Sequence, residues 1–240
     1  MKKCGVGVVS LALLLGCASP EKKEIAVNTI EESELGYVDL DTIDKFVVKD
    51  ALALKQFNKV IIFATQFDKL TLVESADKEL IKSWNKSTWK EMDEICQQLD
   101  DFANKIFRDK GEFVPVTQGG DDVLALQFSL IRFMPYSNRY KDVGMDTVGI
   151  QSNHSGIGMV TVRGVLANAK SGELVAVIEE TLEINPRTAT MGNLATIFEG
   201  NNKAAQNLAW RTSFRRFIDN LHGELYKLKY ARIVQSPQNS

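Results

Sequence analysis

The chain has 240 residues, with 29 Lys and Arg against 31 Asp and Glu and a formal net charge of −2 at pH 7. A balance so close to neutral excludes recruitment of nucleic acid or acidic lipid through whole-protein charge. The length suffices for one sizeable hydrophobic core or two small ones.

Met1-Lys2-Lys3 is a short basic region, and the uncharged run of about eleven residues from Gly5 to Leu15 matches a signal-peptide core. A transmembrane helix would need about twenty apolar residues. The run ends Leu13-Leu14-Leu15-Gly16-Cys17. This resembles the lipobox of bacterial lipoproteins, where the chain is cut before a Cys whose sulfur is diacylated and whose new amino group is then acylated. Leu15 stands where that pattern more often has Ala, Ser or Val. The competing reading is an ordinary secretory signal cut at a small residue such as Ala18. Basic residues, core length, Gly16 and Cys17 fall in lipobox order, so residues 1–16 are expected to be a signal peptide and Cys17 the lipidation site.

One myristoyl chain holds a protein only reversibly, at about 0.8 kcal/mol per buried methylene. Two or three chains on Cys17 would make attachment to the membrane effectively permanent. In the lipoproteins this motif resembles, an Asp after the acylated Cys often retains the protein in the inner membrane. Ala18 stands there instead, which implies an outer-membrane anchor facing the periplasm. Loss of residues 1–16 removes Lys2 and Lys3, leaving 27 basic residues (29 − 2) against 31 acidic ones. Cys17 is then consumed by lipid and Cys96 has no partner for an internal disulfide, although the periplasm permits one.

Residues 18–35 are polar and Glu-rich, without sustained periodicity, and read as a flexible tether. A coil of about eighteen residues has a root-mean-square span of roughly 23 Å. The globular domain is expected from residue 36 to about 235. Between Ile43 and Leu54 the cues conflict. Ile43, Phe46, Val47, Ala51 and Leu54 share a helical face, while Phe46-Val47-Val48 favours a strand; extended structure followed by a turn is the preferred reading. Val60-Ile61-Ile62-Phe63 reads as a central strand, apolar on both faces. Lys69 to Val73 either continues it or pairs beside it.

Thr88 and Glu91 form a capping-box pair. From Trp89, the residues Met92, Ile95, Cys96, Leu99, Phe102, Ala103, Ile106 and Phe107 make one apolar helical stripe, which Gly111 stops. Cys96 lies in mid-stripe and reads as a core residue. Phe113 to Val116 is a short strand. In 122–134, Leu124, Leu126, Phe128 and Leu130 alternate with Gln127 and Ser129, the pattern of a sheet with one buried face. Residues 135–155 read as an exposed connection. Val160, Val162 and Leu166, then Leu174, Ala176 and Ile178, form two strands joined at Asn168-Ala169-Lys170-Ser171-Gly172, a hairpin with Asn and Gly where a left-handed residue is needed. A second long loop spans 185–202. The last helix, from about Lys203 to Lys227, carries Leu208, Trp210, Phe214, Phe217, Ile218, Leu221 and Leu225 inward, with Arg211, Arg215 and Arg216 off that stripe. The tail from Ser236 is expected to fray. Segregated strands with two amphipathic helices predict an α+β two-layer sandwich, a mostly antiparallel sheet with both helices on one face.

No chemistry emerges above this scaffold. His154 and His222 are the two histidines, neither with a partner at ligand spacing, and a metal site needs three or four converging ligands. Asn153-His154-Ser155-Gly156 puts a base beside a nucleophile, but sequence neighbours rarely face each other and no nucleophile elbow is present. Gly156-x-Gly158 lacks the setting of a dinucleotide site and reads as permitting a close backbone approach. Glu180 shares parity with Ile178 and Leu182, and Arg132 with Phe128 and Leu130. Regular strands would bury both, making a Glu180–Arg132 or Glu180–Arg163 pair; a strand end or bulge there is the commoner alternative. The Arg-rich face of the last helix reads as solvated, so no nucleic acid, metal or cofactor is expected.

Three stretches are similar to a family of bacterial lipoproteins known only as a domain of unknown function. They are Phe57-Asn58-Lys59-Val60-Ile61-Ile62, the hairpin from Ala167 to Ala176, and Ala209-Trp210 with Phe217 and Leu221. Asn168 replaces the Asp that often opens the family's hairpin, while Phe57 agrees with its aromatic. The resemblance implies an acylated envelope protein with a strand around Phe46. It implies no activity, and only Cys17 carries over as a functional residue.

Three functions remain in order of preference. The first is a non-enzymatic accessory lipoprotein presenting its sheet and the loops 135–155 and 185–202 to a periplasmic or envelope protein partner. The second is a carrier or sensor binding a small amphiphile between sheet and helices, for which an apolar cavity of several hundred Å³ would be the sign. The third is an enzyme using His154, Ser155 or Glu180.

Overall fold

A computed structural model describes residues 35–73, 78–85, 89–137, 139, 157–185 and 203–231. The signal region, Cys17, most of the tether, Thr88 of the capping box, most of both long loops (including His154 and Ser155) and the tail lie outside the described residues.

Period-two alternation in three long segments builds the middle of the sheet. These are β6 (Val123–Pro135), β7 (Gly158–Asn168) and β8 (Leu174–Ile184). Shorter strands flank them: β1 (Gly36–Val38), β2 (Lys45–Val48), β3 (Lys59–Gln66), β4 (Thr71–Leu72) and β5 (Val114–Pro115). The order is β1-β2-β8-β7-β6-β3-β5, with β4 also beside β6. Pairs from β1 through β6 are antiparallel, whereas β3 and β4 run parallel to β6, and β5 parallel to β3. The fold is α+β with a mostly antiparallel mixed sheet, as the segregation of elements predicted. Phe46 lies in β2, and the chain turns after it into a 3-10 segment, Ala51–Gln56, so extended structure followed by a turn is what forms.

Helices α2 (Trp89–Lys110) and α3 (Lys203–Tyr230) cover one face of the sheet. Their stripes, including Leu99, Phe107, Phe214, Phe217 and Leu221, share one core with Phe46, Leu124, Leu126, Phe128, Val162 and Ile178 of the strands. Cys96 is buried in that core. Gly111 ends α2 at φ +75°, its N–H donating to the Phe107 carbonyl at 3.2 Å, the left-handed stop that Gly supplies without strain. A third helix, α1 (Lys78–Asn85), has no counterpart in the sequence reading; only Leu80 and Trp84, one turn apart, mark it.

The hairpin between β7 and β8 forms as its turn residues require. Asn168 Oδ1 accepts the N–H groups of Lys170 (2.8 Å) and Ser171 (3.0 Å), and Gly172 takes φ +71°. Gly158 permits the expected close approach, because a Cβ there would collide with the Met134 carbonyl oxygen.

Strand β3 is not central. Beside it β5 covers only Lys59 and Val60, so β3 runs next to the sheet's edge, and Ile61, Ile62 and Phe63 are half-buried rather than packed on both faces. The edge is closed further along by Asp100 of α2, whose carboxylate accepts the Thr65 N–H at 3.1 Å and its hydroxyl at 2.6 Å. A satisfied edge donor of this kind blocks pairing with another strand.

Candidate functional site

One local irregularity organises the site. In β6 the register against β7 shifts between Leu130, opposite Val162, and Arg132, opposite Thr161. This bulge places two residues of one strand against one of the other and reverses the parity beyond it. Phe133 therefore turns into the core, 3% exposed, while Arg132 points to solvent. The buried Arg132 is thus replaced by the bulge that was its alternative.

The other side of β6 is equally irregular. Strand β3 pairs with β6 as far as Ser129, and β4 resumes parallel pairing at Arg132 and Phe133. Between them residues 67–70 leave the sheet in a turn, the Leu70 N–H donating to the Phe67 carbonyl at 2.9 Å. Lys69 to Val73 so continues β3 along the same partner, after an interruption.

The gap under that excursion is a cavity of about 300 Å³. Its floor is Leu130, Phe133 and Val160 of the sheet; Phe67, Leu70 and Leu72 come from the excursion and β4; Trp84, Met92 and Trp210 come from the three helices. Asp68 and Asn85 also line it, and both are exposed whereas the floor is buried, so they mark its mouth. The space opens to solvent at that mouth, so it is a pocket rather than a sealed void. Its size lies at the lower bound of natural ligand pockets.

Aromatic rings hold the walls. Trp84 meets Phe133 edge to face, centroids 4.8 Å apart and planes at 76°. Trp210 lies 5.6 Å from Phe133 and 5.5 Å from Phe214. The Trp84 Nε1–H donates to the Ser137 carbonyl at 2.9 Å, and the Arg139 N–H donates to Ser83 Oγ at 3.1 Å. Arg139 also pairs with Glu91 of α2. Helix α1 is therefore clasped by the chain leaving β6.

The remaining sequence candidates fall elsewhere. Glu180 is half-buried; its Oε2 accepts the Asp44 N–H at 2.7 Å, and the Thr181 N–H donates to Asp44 Oδ2 at 2.8 Å. Burial, with the Asp44 charge adding to it, pushes the Glu180 carboxyl up, against the pull of the Asp44 N–H and of Arg216. Arg163 pairs with Glu179, directly opposite it across β7 and β8, at 2.6 Å. Adjacent strand residues face opposite sides of a sheet, so Glu180 and Arg163 do not meet and the expected buried pair is not formed.

His222 is buried between Phe107 and Phe113, and its Nε2 lies 2.9 Å from the Gly111 carbonyl oxygen. Burial lowers its pKa, opposed by that hydrogen bond. Close by, the buried Lys229 ammonium reaches Asn58 Oδ1 (2.8 Å) and Glu112 (3.2 Å), and the Tyr230 hydroxyl donates to Glu112 at 2.7 Å. These last two contacts hold the Glu112 carboxyl below its ordinary value, Tyr230 contributing most. The cluster ties the end of α3 to the stop of α2 and is structural. Among the described residues, no group of three or more His, Cys, Asp or Glu side chains is placed to hold a metal ion.

No family pattern matches the chain, and no curated protein is similar to it. Solved structures share parts of the fold at low identity. Protein XCC0632 from Xanthomonas campestris, of the DUF330 family, is 13% identical with a TM-score of 0.43, over 71% of this chain and 84% of that one. The PelC dodecamer from Paraburkholderia phytofirmans is 14% identical with a TM-score of 0.34, over 73% and 94%. The hypothetical protein CT253 from Chlamydia trachomatis is 5% identical with a TM-score of 0.36, over 73% and 99%.

Proposed function

We propose that the chain is an outer-membrane-anchored periplasmic lipoprotein whose domain is a carrier or sensor, taking a small amphiphile into the cavity between sheet and helices. The observation that carries the binding is the cavity of about 300 Å³, lined mainly by apolar and aromatic side chains with Asp68 and Asn85 at its mouth. The anchoring rests on Lys2-Lys3, the apolar run, Gly16 and Cys17 in order. The cavity with its aromatic walls is what supports this reading over an accessory module presenting the loops 135–155 and 185–202.

Two experiments test it. Organic extraction of the full chain purified from envelopes, followed by mass spectrometry, should yield a small amphiphile in about stoichiometric amount, and Val160→Phe, which fills the floor, should abolish it. Equal recovery from both proteins, or none from either, would reject the cavity as the site. The anchor is checked separately: intact mass should show acyl chains on Cys17, and Cys17→Ala should leave the membrane fraction. A mature chain beginning elsewhere with a free amine refutes that half alone.

A further inference from the structure

Resting on the reading that the cavity takes an amphiphile, we infer that Asp68 selects a ligand with a cationic head group, a single-chain or small aromatic amine in preference to a carboxylate. Among the described residues, the polar side-chain atoms in the depth of the cavity are the indole N–H groups of Trp84 and Trp210, both donors, and that of Trp84 is already given to the Ser137 carbonyl. An indole cannot accept a hydrogen bond, so an ammonium driven inside would lose its water without replacement, at a cost of several kcal/mol. The ligand therefore enters apolar end first and leaves its head at the mouth.

Among the described residues, two side chains meet that head. Asn85 both donates and accepts, so it does not distinguish the sign of a charge. Asp68 is an acceptor and the one ionic side chain of the lining among the described residues. Its position follows from the backbone: Phe67 turns its ring inward to the wall, so its neighbour Asp68 is turned out to the rim. Lys69, next in sequence, is exposed and does not line the cavity. The volume sets the tail. A cavity of about 150 Å³ lined by aliphatic and aromatic side chains holds benzene, so this space admits about eight carbons or two fused rings.

The test uses three probes that share a tail and differ in the head: octylamine, octanol and octanoate. Each is titrated below its micellar concentration into the full-length chain carrying Cys17→Ala, so that no acyl chain of its own competes. Binding is read by calorimetry and by the fluorescence of Trp84 and Trp210. Octylamine should bind about three- to fivefold tighter than octanol, the range of an exposed charge pair, and octanoate weaker than either. Asp68→Asn should bring the three affinities together while leaving octanol unchanged. Asp101→Asn, which removes an exposed charge of α2 outside the lining, should leave the order intact. At about 0.15 M salt charges act over about 8 Å, so net charge alone cannot imitate this result. Octanoate binding as well as octylamine, or Asp68→Asn leaving their ratio unmoved, would overturn the head-group inference while sparing the cavity. Failure of all three probes to bind would overturn both.

Discussion

Trp84 carries the clasp over the cavity, and its removal has a calculable cost. Helix α1 is only eight residues long, too short to persist on its own, and buries only Leu80 and Trp84. Trp84 is 6% exposed, so truncation to Ala falls in the range of large core deletions, about 3–5 kcal/mol. Trp84→Phe keeps most of the ring contact with Phe133 but strands the Ser137 carbonyl, for about 1–2 kcal/mol. Urea unfolding should show the two losses in that order with an unchanged slope. A double-mutant cycle with Phe133→Ala should recover a coupling of about 0.5–1.5 kcal/mol for the edge-to-face pair. In Trp84→Ala, amides of residues 78–85 should also lose hydrogen-exchange protection. If Trp84→Ala costs less than about 1 kcal/mol and those amides stay protected, α1 is held by something other than this ring, and the description of the cavity wall is wrong.

Other variants probe groups away from the cavity. His222 has a lowered pKa in the fold, so the unfolded chain binds the extra proton; its contribution is full above about pH 6.5, the ordinary value, and falls as pH drops below it. His222→Gln should therefore flatten the stability profile below that pH, and an unchanged slope would show that another group causes it. Glu180 titrates in the opposite sense. Its carboxyl is raised by burial, so the contribution present at low pH is lost as pH rises above about 4.5; Glu180→Gln should stabilise the protein at pH 7. Glu179→Gln should instead destabilise by up to about 1 kcal/mol through loss of the partly exposed Arg163 pair. The same sign from both Glu variants in thermal melts would contradict their placement on opposite faces. Lys229→Met removes a charge-assisted bond to Glu112 and another to Asn58, and should cost about 2 kcal/mol by denaturant unfolding; a neutral outcome would make this cluster dispensable.

Some elements were legible because their causes are local. The stripe of α2 and its Gly111 stop, the stripe of α3 and the Asn168–Gly172 turn all depend on residues within a few positions of one another. Strand β3 was recognised, but its place in the sheet was not, since an apolar run cannot say how long its neighbour will be; β5 covers two residues of it. Helix α1 escaped because Leu80 and Trp84 are too few to establish a period.

The sequence by itself determined the α+β class, the long hairpin, the two covering helices and the motif from which an envelope address is proposed, because periodicity, turn chemistry and signal patterns are carried by contiguous residues. Only the tertiary structure decided that Arg132 faces water, that Arg163 meets Glu179, and that a cavity opens beside Phe133. Each follows from pairing between distant segments: the bulge opposite Val162 and Thr161 reverses parity in β6, and the interrupted run from β3 to β4 leaves a gap that no local pattern records.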